Sequence, residues 1–351
     1  MASNLDARAQ KIKSFLEEQN KKHPGVVGVD LCRDLTVVPT GVPVLDRAIG
    51  VGGLPLGLMV ELFGDEGVGK SSLAMIIAAS FQQQGHHVLW IDMEQRLWGE
   101  FAIMLGINPD MITVVRPTDG EQAMQIVKEA LRSEAYGFMV VDSVAALVTV
   151  KEQESVIGES KQQAPLSQLM ADSCKQVGPM ISQCSTTLLW INQLRSKPMV
   201  MMGKKEDTAG GRALKFWSSI RIELDKINSI SVGQEIVGHE IRARVVKNSC
   251  AAPYGKCTYQ FRYKGGIDFK GSVIDAAIES GIIVQRSSYF DVPGVEKPIA
   301  GRKSLDSLLH TDEAIYNTIA EMVRLSSSDI ESPCENETIK EDSCGGLGAI
   351  T

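Results

Sequence analysis

None of the seven cysteines, Cys32, Cys174, Cys184, Cys250, Cys257, Cys334 and Cys344, stands in a CxxC pair, and their number is odd. That argues against a disulfide framework or a zinc cage and fits a reducing, cytoplasmic setting. No apolar run is long enough to span a bilayer; the longest, around Leu73–Phe81, falls well short. The opening residues, Met1–Lys22, carry charges along their length and lack the apolar stretch of a secretory signal. No membrane partner is therefore expected. Internal repeats are missing as well. Nor is there an excess of positive charge, since 36 Lys and Arg against 43 Asp and Glu leave a net −7. This argues against a chain coated in positive charge. It leaves room for a local basic groove, because nucleic-acid binding needs a basic face rather than a basic total.

What remains is ordinary for a globular chain. The 351 residues, 44% hydrophobic and 23% charged, allow one large domain and a smaller one. Over residues 4–20, Leu5, Ala9, Ile12, Phe15 and Leu16 recur at helical spacing, and Pro24 and Gly25 end the segment. This N-terminal piece, residues 1–30, docks either on its own domain or on something else. Residues 31–267 form the main domain, in which apolar runs alternate with helix-like segments from roughly residue 55 to 265. Strands are predicted at 58–64, 87–92, 138–143 and 186–192, with helices at 71–85 and 120–133. Later strands with apolar alternation are predicted at 219–224, 240–248 and 258–263. The order predicts an α/β fold, with a mostly parallel central sheet flanked by helices and an antiparallel addition at one edge. Residues 268–325 predict a small α/β domain of short strands followed by two helices. Residues 326–351, acidic and rich in Ser and Gly, predict a disordered tail.

One segment matches a phosphate-binding motif in full. Gly64, Asp65, Glu66, Gly67, Val68, Gly69, Lys70 and Ser71 follow G-x-x-x-x-G-K-[ST], between a predicted strand and a predicted helix. The glycines let successive N–H groups turn inward on phosphate oxygens, and the helix N-terminus, with Ser71 and Ser72, adds partial positive charge. Lys70 would reach the β- and γ-phosphates, and the Ser71 hydroxyl would meet Mg²⁺. The apolar strand 138–142 ends in Asp142, a carboxylate placed where Mg²⁺ and its waters need a negative partner. Taken alone, an Asp after an apolar strand is usually a cap or turn residue. Asp92 and Glu94 can also face this edge. Glu94 is the candidate to orient and deprotonate an attacking water, against the reading of a solvated loop carboxylate.

A second segment does not read like core. The apolar run Thr186–Trp190 feeds a stretch rich in basic residues, methionine and glycine, from Asn192 to Phe216, with neither helical nor strand period. Arg195, Lys197, Lys204, Lys205 and Arg212 can neutralise phosphates. Met199, Met201 and Met202 can enter irregular gaps between bases. Gly210 and Gly211 allow close backbone approach. On these residues alone, a solvated lid over the nucleotide is as good a reading as a DNA loop.

Together these segments resemble the RecA family of homologous-recombination ATPases. The resemblance covers residues 4–325 and rests on "TGVPVLDRAIGVGGLPLG", "GDEGVGKSSL", "VVDSVAALV", "INQLRSK" with "GGRALKFW", and "VVKNSCAAP". It implies a P-loop NTPase core with ATP and Mg²⁺ as cofactors, and an N-terminal helix that packs on the neighbouring subunit of a helical filament. It places Glu94 at the catalytic glutamate, Phe101 where an aromatic stacks on adenine, and Gln193 at the glutamine that senses the γ-phosphate. Phe216 falls at a subunit interface, and Lys247 at a lysine reaching the neighbour's γ-phosphate. Two loops would hold DNA, one near 156–163 with Lys161 and one at about 196–212. Gln193, between the γ-phosphate and the second loop, would let ATP order that loop and hydrolysis release it.

The implied function is an ATP-dependent DNA recombinase that polymerises on single-stranded DNA, pairs it with a homologous duplex and exchanges strands. Recombination mediators and single-strand-binding proteins are the further partners expected. A hexameric DNA motor of the same ATPase class, or a non-DNA ATPase switch, is the alternative. The sequence departs from the family at several points. Trp98 stands at a family Asp, Pro198 at an aliphatic position, and Lys161-Gln162 at a His-Met pair. Ser249 replaces the second lysine beside Lys247. Losing one cation of that kind costs roughly 3–4 kcal/mol of transition-state stabilisation, so hydrolysis is expected to be slow or dependent on a monovalent cation. In the small domain, Arg286, Lys297, Arg302 and Lys303 either receive duplex DNA or are scattered surface charges, and the acidic tail would compete with DNA for such a patch.

Overall fold

The computed structural model describes residues 2–22, 35–155, 164–196 and 206–326. It forms two units. The first carries the helix Ala2–Lys22, on which Ile12, Phe15 and Leu16 are exposed. The second begins at Thr36 and holds everything that bears on the site.

Its frame is one twisted sheet. The longer strands are β1 (Met59–Gly64), β2 (Val88–Asp92), β3 (Ile112–Val115), β4 (Phe138–Asp142), β5 (Thr187–Ser196), β6 (Ile220–Val232), β7 (Glu235–Asn248) and β8 (Lys256–Arg262). From one edge the order is β3-β2-β4-β5-β1-β6, all parallel, followed by β7, β8 and the short strand Gly266–Ile267, all antiparallel. The parallel core with an antiparallel addition is the architecture the apolar pattern predicts. Strands β1, β2 and β4 are buried along their whole length, which is why they read as continuous apolar runs rather than alternating ones.

Each face of the sheet carries its own core. One gathers Val60, Leu62, Leu189 and Ile191 with Ala74 and Ile77 of the helix Lys70–Gln83. The other gathers Leu188 and Trp190 with Met124 and Val127 of the helix Gly120–Ser133, and Met170 and Val177 of the helix Ala164–Cys184. That last helix was not predicted, and it contains Pro179. Strands β6 and β7 run longer than their apolar alternation suggests. Their outer halves are exposed and are extended by pairing with each other.

The C-terminal part starts with a helix, Phe269–Glu279, where only short strands were predicted first. Three short strands and the helices Arg302–Thr311 and Glu313–Ser326 follow. Val273, Ile274, Leu305, Ile319 and Val323 join the same core cluster as the helix Pro43–Ile49. Among the described residues no helix is long and apolar enough to cross a membrane.

Candidate active site

The phosphate-loop motif lies at the C-terminal edge of the sheet. β1 ends at Gly64, where a Cβ would stand 2.3 Å from the Leu224 carbonyl oxygen on the neighbouring strand β6. Gly67 and Gly69, at φ 69° and 92°, bend the loop into the helix that starts at Lys70. Lys70 is buried, and its Nζ donates to the carbonyls of Gly64 (3.0 Å) and Asp65 (2.6 Å). Burial lowers its pKa, opposed by the charges of Asp142, Glu94, Asp65 and Glu66.

Asp142 ends β4 and is buried. Desolvation pushes its pKa up to about 6, with Glu94 and Asp92 adding to the shift, while a hydrogen bond with the Ser71 side chain and the charge of Lys70 oppose it. Among the described residues no three His, Cys, Asp or Glu side chains gather into a metal cage. The donor set fits Mg²⁺, which is held in phosphate-transfer sites by one or two protein oxygens, water and substrate phosphates. Ser71 and Asp142 supply that pair beside the loop.

The two carboxylates at the end of β2 differ in their surroundings. Asp92 is buried and accepts from the backbone of Arg96 (3.1 Å) and Leu97 (3.2 Å) and from Arg116 Nε (3.1 Å), so it shapes the turn. The Glu94 side chain stays 21% exposed at the edge. Its Oε1 accepts from Ser143 Oγ at 2.6 Å and from Gln193 Nε2 at 3.3 Å, and Arg96 lies 3.5 Å from Oε2. Its backbone N–H donates to the Asp142 carbonyl at 3.3 Å. The fold thus brings Lys70, Ser71, Asp142, Glu94 and Gln193, from four separate segments, to one edge. Phe101 lies on the next short helix, Gly99–Met104, partly buried against the core, and Trp98 at its N-cap is 67% exposed.

Gln193 also opens the second loop. β5 continues past it and pairs antiparallel with Glu206–Thr208, in the register Leu194↔Thr208, Arg195↔Asp207 and Ser196↔Glu206. This stem closes the basic stretch. Lys161, Lys197, Met199, Met201, Met202, Lys204 and Lys205 lie outside the described residues. Gly210 and Gly211 follow the stem at φ 79° and 77°, where a Cβ would meet Met170 and Val144 at 3.0 Å and Ser167 Oγ at 2.9 Å. These glycines therefore have a packing reason of their own. Arg212 is exposed at the start of the helix Ala213–Trp217.

That helix carries Phe216, 74% exposed. Lys247 caps it, donating to the carbonyls of Lys215 (2.9 Å) and Phe216 (2.8 Å). Its pKa is lowered first by burial and then by Arg221, with Glu61 opposing. The backbone N–H of Ser249 donates to the Ser219 carbonyl at 2.9 Å. In the C-terminal part, Arg302 is held between Asp275 and Asp306, and Arg286 pairs with Asp291. Ser143, Asn192, Glu61 and Arg221 also belong to this neighbourhood and were not predicted. The one available signal was Glu61, a lone carboxylate in an otherwise apolar strand.

Comparison with known proteins shows the family. The family model described as RecA N-terminal domain matches residues 12–268. The chain belongs to the RecA family. Protein RecA of Chlorobaculum tepidum is 40% identical over 288 residues, covering 82% of this chain and 83% of that one. Protein RecA of Bifidobacterium breve is 37% identical over 318 residues, covering 91% and 80%. A mitochondrial DNA repair protein recA homolog of Dictyostelium discoideum is 39% identical over 273 residues, covering 78% and 60%. As a RecA-family protein, the chain is an ATP-dependent recombinase acting in DNA repair, with DNA-dependent ATPase activity.

Proposed function

We propose that the chain binds ATP with Mg²⁺ at a junction between its own copies, polymerises on single-stranded DNA, aligns it with a homologous duplex and exchanges strands. The exposed Ile12, Phe15 and Leu16 of the N-terminal helix and the exposed Phe216 support assembly into a filament. Mediators and single-strand-binding proteins are the further partners of this reading.

Residues 64–72 cradle the phosphates, with Lys70 on the β- and γ-phosphates and Phe101 against the base. A Mg²⁺ held through Ser71, with Asp142 behind it, would neutralise charge on the β and γ oxygens. Glu94 accepts a proton from the water that attacks the γ-phosphorus, the bond to the β-phosphate oxygen breaks, and ADP and phosphate leave. Lys247 of a neighbouring copy adds positive charge to the transition state. Arg195, Lys197, Lys204, Lys205 and Arg212 hold the strand's phosphates, aided by Lys161 in the first loop. Met199, Met201 and Met202 enter between bases, where Gly210 and Gly211 set the loop's return.

The observation that carries the reading is the contact between Gln193 and Glu94 at the root of the loop stem, which ties the hydrolytic edge to the basic segment. Single-stranded DNA binding should be much tighter with a slowly hydrolysed ATP analogue than with ADP or no nucleotide. Strand exchange should proceed with ATP. Equal DNA affinity in all three nucleotide conditions would refute this reading.

A further inference from the structure

Glu61 is a fully buried carboxylate in the middle of β1. Burying a charge there costs free energy unless it is paired, and an apolar residue of similar volume serves stability as well or better. Its partners suggest why it is charged. Oε1 accepts from Asn192 Nδ2 at 3.0 Å, and Oε2 accepts from Arg221 Nε. Arg221 is its register neighbour on β6, with its guanidinium 4.5 Å above the Phe63 ring, and Lys247 is the next residue of the same row on β7.

Asn192 and Gln193 are successive residues of β5 and so point to opposite faces of the sheet. Gln193 shares the face of Leu189 and Ile191, on the side of the phosphate-loop helix. Asn192 shares the face of Leu188 and Trp190. Every hydrogen-bonding position of the Asn192 amide is used. Nδ2 donates to Glu61 and to the Ala209 carbonyl (3.0 Å), and Oδ1 accepts from the N–H of Gln193 (2.9 Å) and of Ala209 (3.2 Å). A carboxylate can only accept, so Glu61 acts together with the Ala209 carbonyl and the two N–H donors to set which end of that amide faces it. With the opposite orientation, two oxygens would face each other and the NH₂ would face two N–H donors.

We infer that Glu61 is a positioning residue for the coupling between nucleotide and DNA. By orienting Asn192 it clamps the returning end of the second loop, at Ala209, to the backbone of the γ-phosphate sensor Gln193. Through Arg221 it orders the same row that holds Lys247 against the Phe216 helix. This rests on the nucleotide-controlled grip proposed above.

The test is the ratio of single-stranded DNA affinity with a slowly hydrolysed ATP analogue to that with ADP, measured beside nucleotide affinity without DNA and thermal melting. The wild-type ratio should be about tenfold or more. In Glu61→Gln the new amide has one acceptor oxygen for two donors. The ratio should fall to within about twofold while nucleotide affinity holds within about threefold. The pair E61Q/R221Q can accept from Asn192 and donate across to position 221, and should restore the ratio. If E61Q does not fold, the uncharged pair E61L/R221M supplies a folded protein in which Asn192 lacks its acceptor, and it should lose the ratio. A wild-type ratio kept in E61Q or in E61L/R221M overturns the inference alone. A wild-type protein with no ratio overturns the proposed function, and this inference with it.

Discussion

Asp92 and Glu94 show how little separates a carboxylate tied into a turn from one left at an open edge. They lie two residues apart, but Asp92 is buried under two backbone N–H groups and Arg116, while Glu94 stays at the open edge with Ser143 and Gln193. Glu94→Gln should therefore lower single-turnover hydrolysis by about 10²–10⁴-fold, with nucleotide-dependent DNA binding retained. Position 249 has the opposite expectation. Its serine places no charge beside Lys247, whose own Nζ is engaged by two carbonyls. Ser249→Lys should raise DNA-stimulated turnover on the order of 10²-fold, and any faster turnover in potassium than in sodium should vanish in that variant. Lys70 and Ser71 were legible because a strand-loop-helix motif keeps its residues local; Asp142 and Glu94 were candidates from the ends of apolar strands, and Gln193 from the family resemblance. Ser143, Asn192, Glu61 and Arg221 were not legible, because each acts through a partner from a distant segment of the chain.

At the level of elements, legibility followed how strongly a segment's own pattern agreed with its packing. The helix Gly120–Ser133 has one apolar face, an Asp119 N-cap bonded to Gln122 N at 2.7 Å, and the boundaries its sequence predicts. The helix Ala164–Cys184, which was not predicted, contains Gly178 and Pro179, two residues of low helix propensity. In the fold, a Cβ at Gly178 would lie 2.3 Å from the Trp217 ring, so the glycine is a seat for that ring and tertiary contact overrides local propensity. Gly64 gives a similar lesson. As a motif residue it serves phosphate approach, yet it also lets β6 lie against β1 in the register Gly64↔Leu224. Gly64→Ala should push the strands apart and cost about 1–3 kcal/mol of stability, seen as a lower melting temperature even without nucleotide.

For the molecule as a whole, the parallel sheet and its antiparallel edge were legible, while the way the C-terminal part joins it was not. Helix Phe269–Glu279 packs its apolar side on Pro43–Ile49, and Arg47 reaches both the Ala276 carbonyl (3.3 Å) and Glu279 (3.2 Å). Such contacts between segments far apart in the chain leave no local mark. Residues 36–326 should melt in one cooperative transition, checked by agreement of calorimetric and van't Hoff enthalpies. Deleting residues 269–326 should uncover the apolar side of the helix Pro43–Ile49, with Leu45 and Ile49, and destabilise the ATPase frame rather than release it intact.

The stem that returns the second loop to Ala209 has a further implication for how such a protein can change over generations. Once its two ends are pinned, the cost of closing the segment between them grows only with the logarithm of its length. Insertions, deletions and new side chains at 197–205 can then accumulate while the hydrolytic chassis stays as it is. If that segment grips DNA as proposed, how tightly and how selectively the protein takes hold of a strand is free to drift on a mounting that does not.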